Sequence, residues 1–149
     1  MESEGRYAAA DVYYPVDGGA HAAAVIASDP TFATVVEEVT ARVETVGEYR
    51  PGQFYLRELP AVTAALAATS PVDLLVIDGY VDLDPAGRPG LGAHLHERIG
   101  VPVIGVAKTA FRGATHAAAV HRGRTAARPV YVTAAGLPVA REAELVVRM

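Results

Sequence analysis

Cysteine is absent from this 149-residue chain. That excludes a disulfide framework and any thiolate metal site, so a bound metal must be held by oxygen or imidazole. No apolar run approaches the roughly 18 residues needed to span a bilayer. The acidic start, MESEGRY, lacks the basic segment and apolar stretch of a signal peptide. A cytoplasmic location is the expected default. Lysine is nearly absent: Lys108 is the only one, and every other basic residue is arginine. There is no internal repeat, low-complexity tract or linker-like stretch, so residues 1–149 are expected to form one domain, and a monomer is expected.

What is present is a soluble globular composition, 51% hydrophobic and 20% charged, with a net charge of −4. That balance argues against a surface coated in basic residues. The distribution says more than the sum. Residues 1–97 hold fifteen of the 17 acids against five arginines. From Arg98 to Arg141 there is no acid at all, while Arg98, Lys108, Arg112, Arg122, Arg124, Arg128 and Arg141 fall there. An acidic half suited to metal is joined to a basic half suited to phosphates. A chance fluctuation on a solvated surface is the competing account.

Arg6–Tyr14 reads as a strand ended by Pro15 and the Asp17-Gly18-Gly19 turn signal. Ala20–Ser28 reads as a second strand and Phe32–Val46, rich in Val and Thr, as a third, which makes an antiparallel meander. Residues 47–52 form a loop. A helix is expected to begin at Pro60, where a missing N–H does no harm, and to run through AVTAALAAT. Leu74–Ile77 is a doubly buried strand ending at Asp78-Gly79. Gly90–Ile99 is a short helix closed by Gly100, Val101–Ala107 another buried strand, VYVTA a last strand, and Pro138–Val147 a final helix. Strands alternating with helices in the second half predict parallel pairing with right-handed crossovers. The expected fold class is α/β, a mixed sheet flanked by helices.

Ligands in open α/β sheets gather at the carboxyl ends of strands. Asp78 closes LLVI and Lys108 closes VPVIGVA, both at such ends, and Asp11 lies in the first strand where it can face the same end. Glu58 precedes the expected helix, whose dipole favours an ionised carboxylate. Three carboxylates and an ammonium so placed suit a hard divalent cation that handles phosphate, and point to metal-assisted hydrolysis of a phosphodiester. The plainer alternatives are that Asp78-Gly79 is a turn former and Glu58 a helix cap. His94 and His96 are two apart and point to different faces. His116 and His121 read as surface residues. Asp82-Leu83-Asp84 lacks the glycine and glutamate of a calcium loop.

YRPGQFYLRELP, LLVIDGY, the GLGAHL segment and VPVIGVAK, in this order, resemble the endonuclease V family from about Ala10 to Val139. The resemblance implies a ribonuclease-H-like fold with a three-stranded antiparallel start followed by parallel strands. It implies a Mg²⁺-dependent nuclease, Mn²⁺ being able to substitute, that cuts DNA 3′ to deoxyinosine or RNA containing inosine. By the same resemblance Asp11, Glu58 and Asp78 are the metal-binding carboxylates, and Lys108 stands beside them. Tyr49, Arg50, Pro51 and Gly52 match the wedge that enters the duplex beside the lesion, with Tyr80 and Arg112 expected to contact substrate. A wedge props the stack that an extruded base vacates. Two motifs depart from the family. The Gly-His pair after the last core strand is replaced by Thr133-Ala134-Ala135-Gly136-Leu137, and the glycine-histidine-glycine after the second aspartate by Gly79-Tyr80-Val81. Loss of that active-site histidine leaves a second expectation open, a nucleic-acid-binding protein of the same fold that does not cut. His116 and His121 are the candidates to take the histidine's place.

Overall fold

Alternation in YAAADVY and AHAAAVIA puts alanines on one face of two neighbouring strands, which lets a helix lie close to the sheet. The computed structural model describes residues 5–44, 55–121 and 128–149. In it these segments are β1 (Tyr7–Tyr13) and β2 (Ala20–Ala27), paired antiparallel, and β3 (Val35–Val43) pairs antiparallel with β2. Helix α1 (Tyr55–Ala67) follows, then β4 (Leu74–Asp78), α2 (Leu91–Ile99) and β5 (Val103–Ala107). The chain closes with β6 (Ala118–Val120), β7 (Val130–Ala135) and α3 (Val139–Arg148). The seven strands among the described residues form one sheet in the order β3-β2-β1-β4-β5-β7-β6.

The antiparallel start is as expected, and β4 and β5 run parallel to β1 and to each other. The far edge differs. β7 runs antiparallel to β5, and the short β6, which the sequence reading did not pick out, pairs antiparallel with β7. The segment between β5 and β7 thus holds an edge strand, and β5 and β7 are antiparallel where parallel pairing was expected. Helix α1 also differs, because it begins at Tyr55 rather than Pro60. Pro60 therefore lies inside the helix, and Glu58 sits within the first turn instead of ahead of it. A proline there removes the N–H that would bond the carbonyl four residues back. Helix α2 ends as expected on Gly100, which takes the left-handed conformation at φ 73°.

Each face of the sheet carries its own core. On one side Ala8, Ala10, Ala22, Ala24, Ile26, Leu75 and Ile77 meet Ala61, Val62 and Ala65 of α1 and Leu91 and Leu95 of α2. On the other, Leu74, Ile104 and Val132 meet Ala143, Leu145 and Val146 of α3. Helix α3 covers only part of that second face, and the carboxyl ends of β1, β4 and β5 stay open. No helix among the described residues is long and apolar enough to cross a membrane.

Candidate active site

Strand register decides which charges meet. β1 and β4 pair with Ala8 opposite Leu75 and Ala10 opposite Ile77, so the next step brings Asp11 level with Asp78. The odd positions of β1 turn away from the alanine core, which places both carboxylates on the second face. Asp78 pairs with Val106 on β5, and Lys108, two residues further, returns to the same face. A groove of about 290 Å³ results, walled by Asp11, Asp78 and Lys108 over Val76, Val106 and Val130. Glu58 reaches the same end of the sheet from the first turn of α1.

The electrostatics tie these groups together. Burial pushes the Glu58 carboxyl up to about 7, with Asp78 and then Asp11 adding to the rise and Arg57 opposing it. The helix dipole alone would favour the ionised form; desolvation and two like charges outweigh it. Asp78 is raised as well, by burial first and by Asp11, against the pull of Lys108. Among the described residues no three His, Asp or Glu side chains stand close enough, as placed, to hold an ion. The donor set itself is all carboxylate oxygen, which is the chemistry hard divalent cations take, and these residues fit Mg²⁺ in that respect.

A stability effect follows from Glu58. Its folded pKa of about 7 lies above the ordinary glutamate value of 4.5, so folding favours the protonated acid and stability is lost as pH rises from about 4.5 through 7. Glu58→Gln should therefore raise the melting temperature by several degrees at pH 8 without divalent ions, and by much less at pH 5. Thermal denaturation at the two pH values checks it. An equal gain at both would mean that the carboxyl does not titrate in this range.

Three residues outside the sequence-derived set shape the site. Gly105, in the middle of β5, lies under the turn after Asp78. A Cβ there would overlap the Gly79 carbonyl oxygen and stand 2.8 Å from Thr133 Oγ1 and 3.0 Å from the Val81 nitrogen. Thr133, buried in β7, accepts a hydrogen bond from the Val81 N–H at 2.8 Å. Tyr14, just past β1, stacks under the Arg57 guanidinium, 4.6 Å from its ring centroid. Its hydroxyl is shut off from solvent with no hydrogen-bond partner among the described residues. Burial, then Glu58, pushes that phenol up to about 12. The adjacent Tyr-Arg-Glu arrangement spans β1 and α1, and no local pattern announces it.

The remaining expected residues divide. Tyr80 is placed beside the groove, but its hydroxyl is engaged by the backbone of residues 109 and 111. Arg112 is exposed on the loop after Lys108. Tyr49, Arg50, Pro51 and Gly52, as well as Arg122 and Arg124, lie outside the described residues. His96 Nδ1 is 2.7 Å from the Val101 carbonyl and ties down the end of α2. His121 is exposed, as expected. His116 differs: both ring nitrogens are shut off from solvent, without hydrogen-bond partners among the described residues.

Comparison with known proteins gives a consistent set of matches. The family model for endonuclease V matches residues 2–145. An endonuclease V of Streptomyces avermitilis is 42% identical over 108 residues, covering 72% of this chain and 47% of the relative. The chain thus spans about half the length of the curated relatives it matches. Among solved structures, the endonuclease V of Streptomyces avermitilis superposes with a TM-score of 0.80 at 30% identity, covering 97% of this chain and 72% of that one. The Ciona intestinalis endonuclease V, solved with a 24mer DNA containing an inosine, superposes with a TM-score of 0.82 at 19% identity over 97% of this chain and 77% of that one. The second likeness is one of fold alone.

Proposed function

The chain belongs to the endonuclease V family and has its ribonuclease-H-like fold, and from that premise we propose that it is a Mg²⁺-dependent endonuclease acting on inosine-containing nucleic acid. The observation that carries the reading is the groove in which Asp11, Asp78 and Lys108 line one sheet face, coupled to Glu58. Burial and acidic neighbours raise the proton affinity of Glu58 and Asp78, an arrangement that is costly without a cation and that a surface binding only phosphate has no use for.

Asp11, Glu58 and Asp78 would hold the metal, Mg²⁺ or Mn²⁺. Bound there, the cation would supply polarisation of the phosphodiester and a lowered pKa for the attacking water. The chain's own residues do the rest. Lys108, exposed at the groove wall, meets the charge that develops on the phosphoryl oxygens. The turn after Asp78, held by the Val81–Thr133 hydrogen bond and the close approach of Gly105 to Gly79, keeps that carboxylate in place relative to the ammonium. Arg112, exposed on the loop after Lys108, would add affinity for the phosphate backbone without sequence preference. Tyr49, at the head of the Tyr49–Gly52 segment, would fill the stack beside an extruded base. The inosine reading draws support from the Ciona intestinalis relative, whose structure holds inosine DNA.

One observation favours a second reading. β7 is followed by Gly136-Leu137 and no histidine, where the family resemblance puts one; if that histidine handles a proton, its absence would cost about 10²–10⁴-fold in rate. A protein that grips inosine without cutting is the alternative. Incubating the chain with Mg²⁺ or Mn²⁺ and labelled single-stranded and duplex oligonucleotides, each with and without inosine, separates the two. Nicking 3′ to inosine that stops on chelation supports the enzyme. Selective binding with no nicking under either metal supports the binder.

A further inference from the structure

We propose that Tyr80 is a positioning residue, whose hydroxyl clamps the loop after Lys108 to the turn after Asp78 and so fixes ammonium and carboxylate relative to each other. This rests on the endonuclease reading above. The hydroxyl donates to the Thr109 carbonyl at 2.7 Å and accepts the Phe111 N–H at 3.0 Å. Thr109 is the immediate neighbour of Lys108, and Tyr80 stands two residues past Asp78. One side chain therefore joins the ends of β4 and β5, the two strands that deliver the charges. The partners are 29 and 31 residues away in sequence, so this is a tertiary clamp and not a local turn.

Two further contacts hold the same loop. The Phe111 ring lies against the Tyr80 ring, with centroids 6.0 Å apart and planes tilted by 52°. Gly113 passes so near the second loop that a Cβ would sit 3.1 Å from the Leu83 carbonyl. The hydroxyl has one proton, and Thr109 receives it. Tyr80 is thereby unavailable to hand a proton to a leaving group. It stands where the family's sequence pattern has a histidine, yet its work here is geometric.

Tyr80→Phe keeps the ring against Phe111 and removes both hydrogen bonds. On an inosine-containing single strand with Mg²⁺, kcat should fall about 10- to 100-fold while KM stays within about twofold, the mark of lost alignment rather than lost affinity. In a Lys108→Ala background the same substitution should change kcat no further, because the group being aligned is gone. Equal losses in both backgrounds overturn the proposal. In the metal-free, unliganded protein, exchange of the Phe111 amide should speed up about 10-fold or more in Tyr80→Phe, at little change in melting temperature. Unchanged exchange overturns the clamp itself. Should the wild type nick no inosine substrate, the endonuclease reading fails on its own. The clamp is then decided by Phe111 exchange alone, faster exchange in Tyr80→Phe supporting it and unchanged exchange overturning it.

Discussion

Asp78→Ala should abolish Mg²⁺-dependent nicking, by about 10³-fold or more, while leaving oligonucleotide binding largely intact. The size follows from what the carboxylate would hold on the proposed reading: a cation worth several kcal/mol of charge stabilisation in the transition state, at about tenfold in rate per 1.4 kcal/mol. The wild type should also melt at a higher temperature with Mg²⁺ or Mn²⁺ present, since an ion bound only by the folded state stabilises it by mass action. In Asp78→Ala that increment should shrink. Asp17→Ala is the control, because Asp17 is exposed in the turn between β1 and β2 and is not among the residues that line the groove. Loss of nicking in both variants would point to general damage. Equal metal-induced shifts in wild type and Asp78→Ala would place the ion elsewhere.

Gly105→Ala should destabilise the fold by about 3 kcal/mol, the upper end for overpacking a well-filled core. The atoms in the way are a backbone carbonyl, a backbone nitrogen and a buried threonine hydroxyl, none of which can swing aside. A fall in melting temperature of about 5–10 °C is expected for a chain of this length. Gly87→Ala is the comparison. Gly87 has a positive φ of 89° but nothing within 4 Å of an added Cβ, so only the backbone preference is lost, about 1 kcal/mol. Parallel thermal melts decide it. If the two variants melt together, the close approach under the Asp78 turn carries no energy. Because the displaced carbonyl belongs to Gly79, what survives of Gly105→Ala should also nick more slowly than Gly87→Ala.

Strands β1, β2 and β4 and helix α2 were legible because their signals are local: alternation, an apolar run, glycine and proline punctuation. Strand ends located Asp11, Asp78 and Lys108 for the same reason. The start of α1 was misread because Pro60 is a strong signal for a first turn, whereas the helix begins five residues earlier, at Tyr55, and carries the proline in its interior. Strand direction was not legible at β7. A 22-residue connection from Ala107 to Val130 is long enough for a parallel crossover, and nothing in VYVTA itself tells the two directions apart. β6 escaped because three residues at a sheet edge bury too little to leave a pattern. The supporting contacts were out of reach for another reason. Thr133 and Val81 are 52 residues apart, and a hydrogen bond across that distance exists only once the strand order is known.

With a single lysine in the sequence, exposed at the groove wall, this chain carries one ε-amine. Reagents that acylate or reductively alkylate amines thus find, apart from the α-amino group, one target, and it stands beside Asp78. A fluorophore or an isotopically labelled methyl group placed by such chemistry would report from within the groove, with no engineered cysteine needed. The arginine-for-lysine bias of the remaining surface turns an ordinary labelling reaction into a site-directed one.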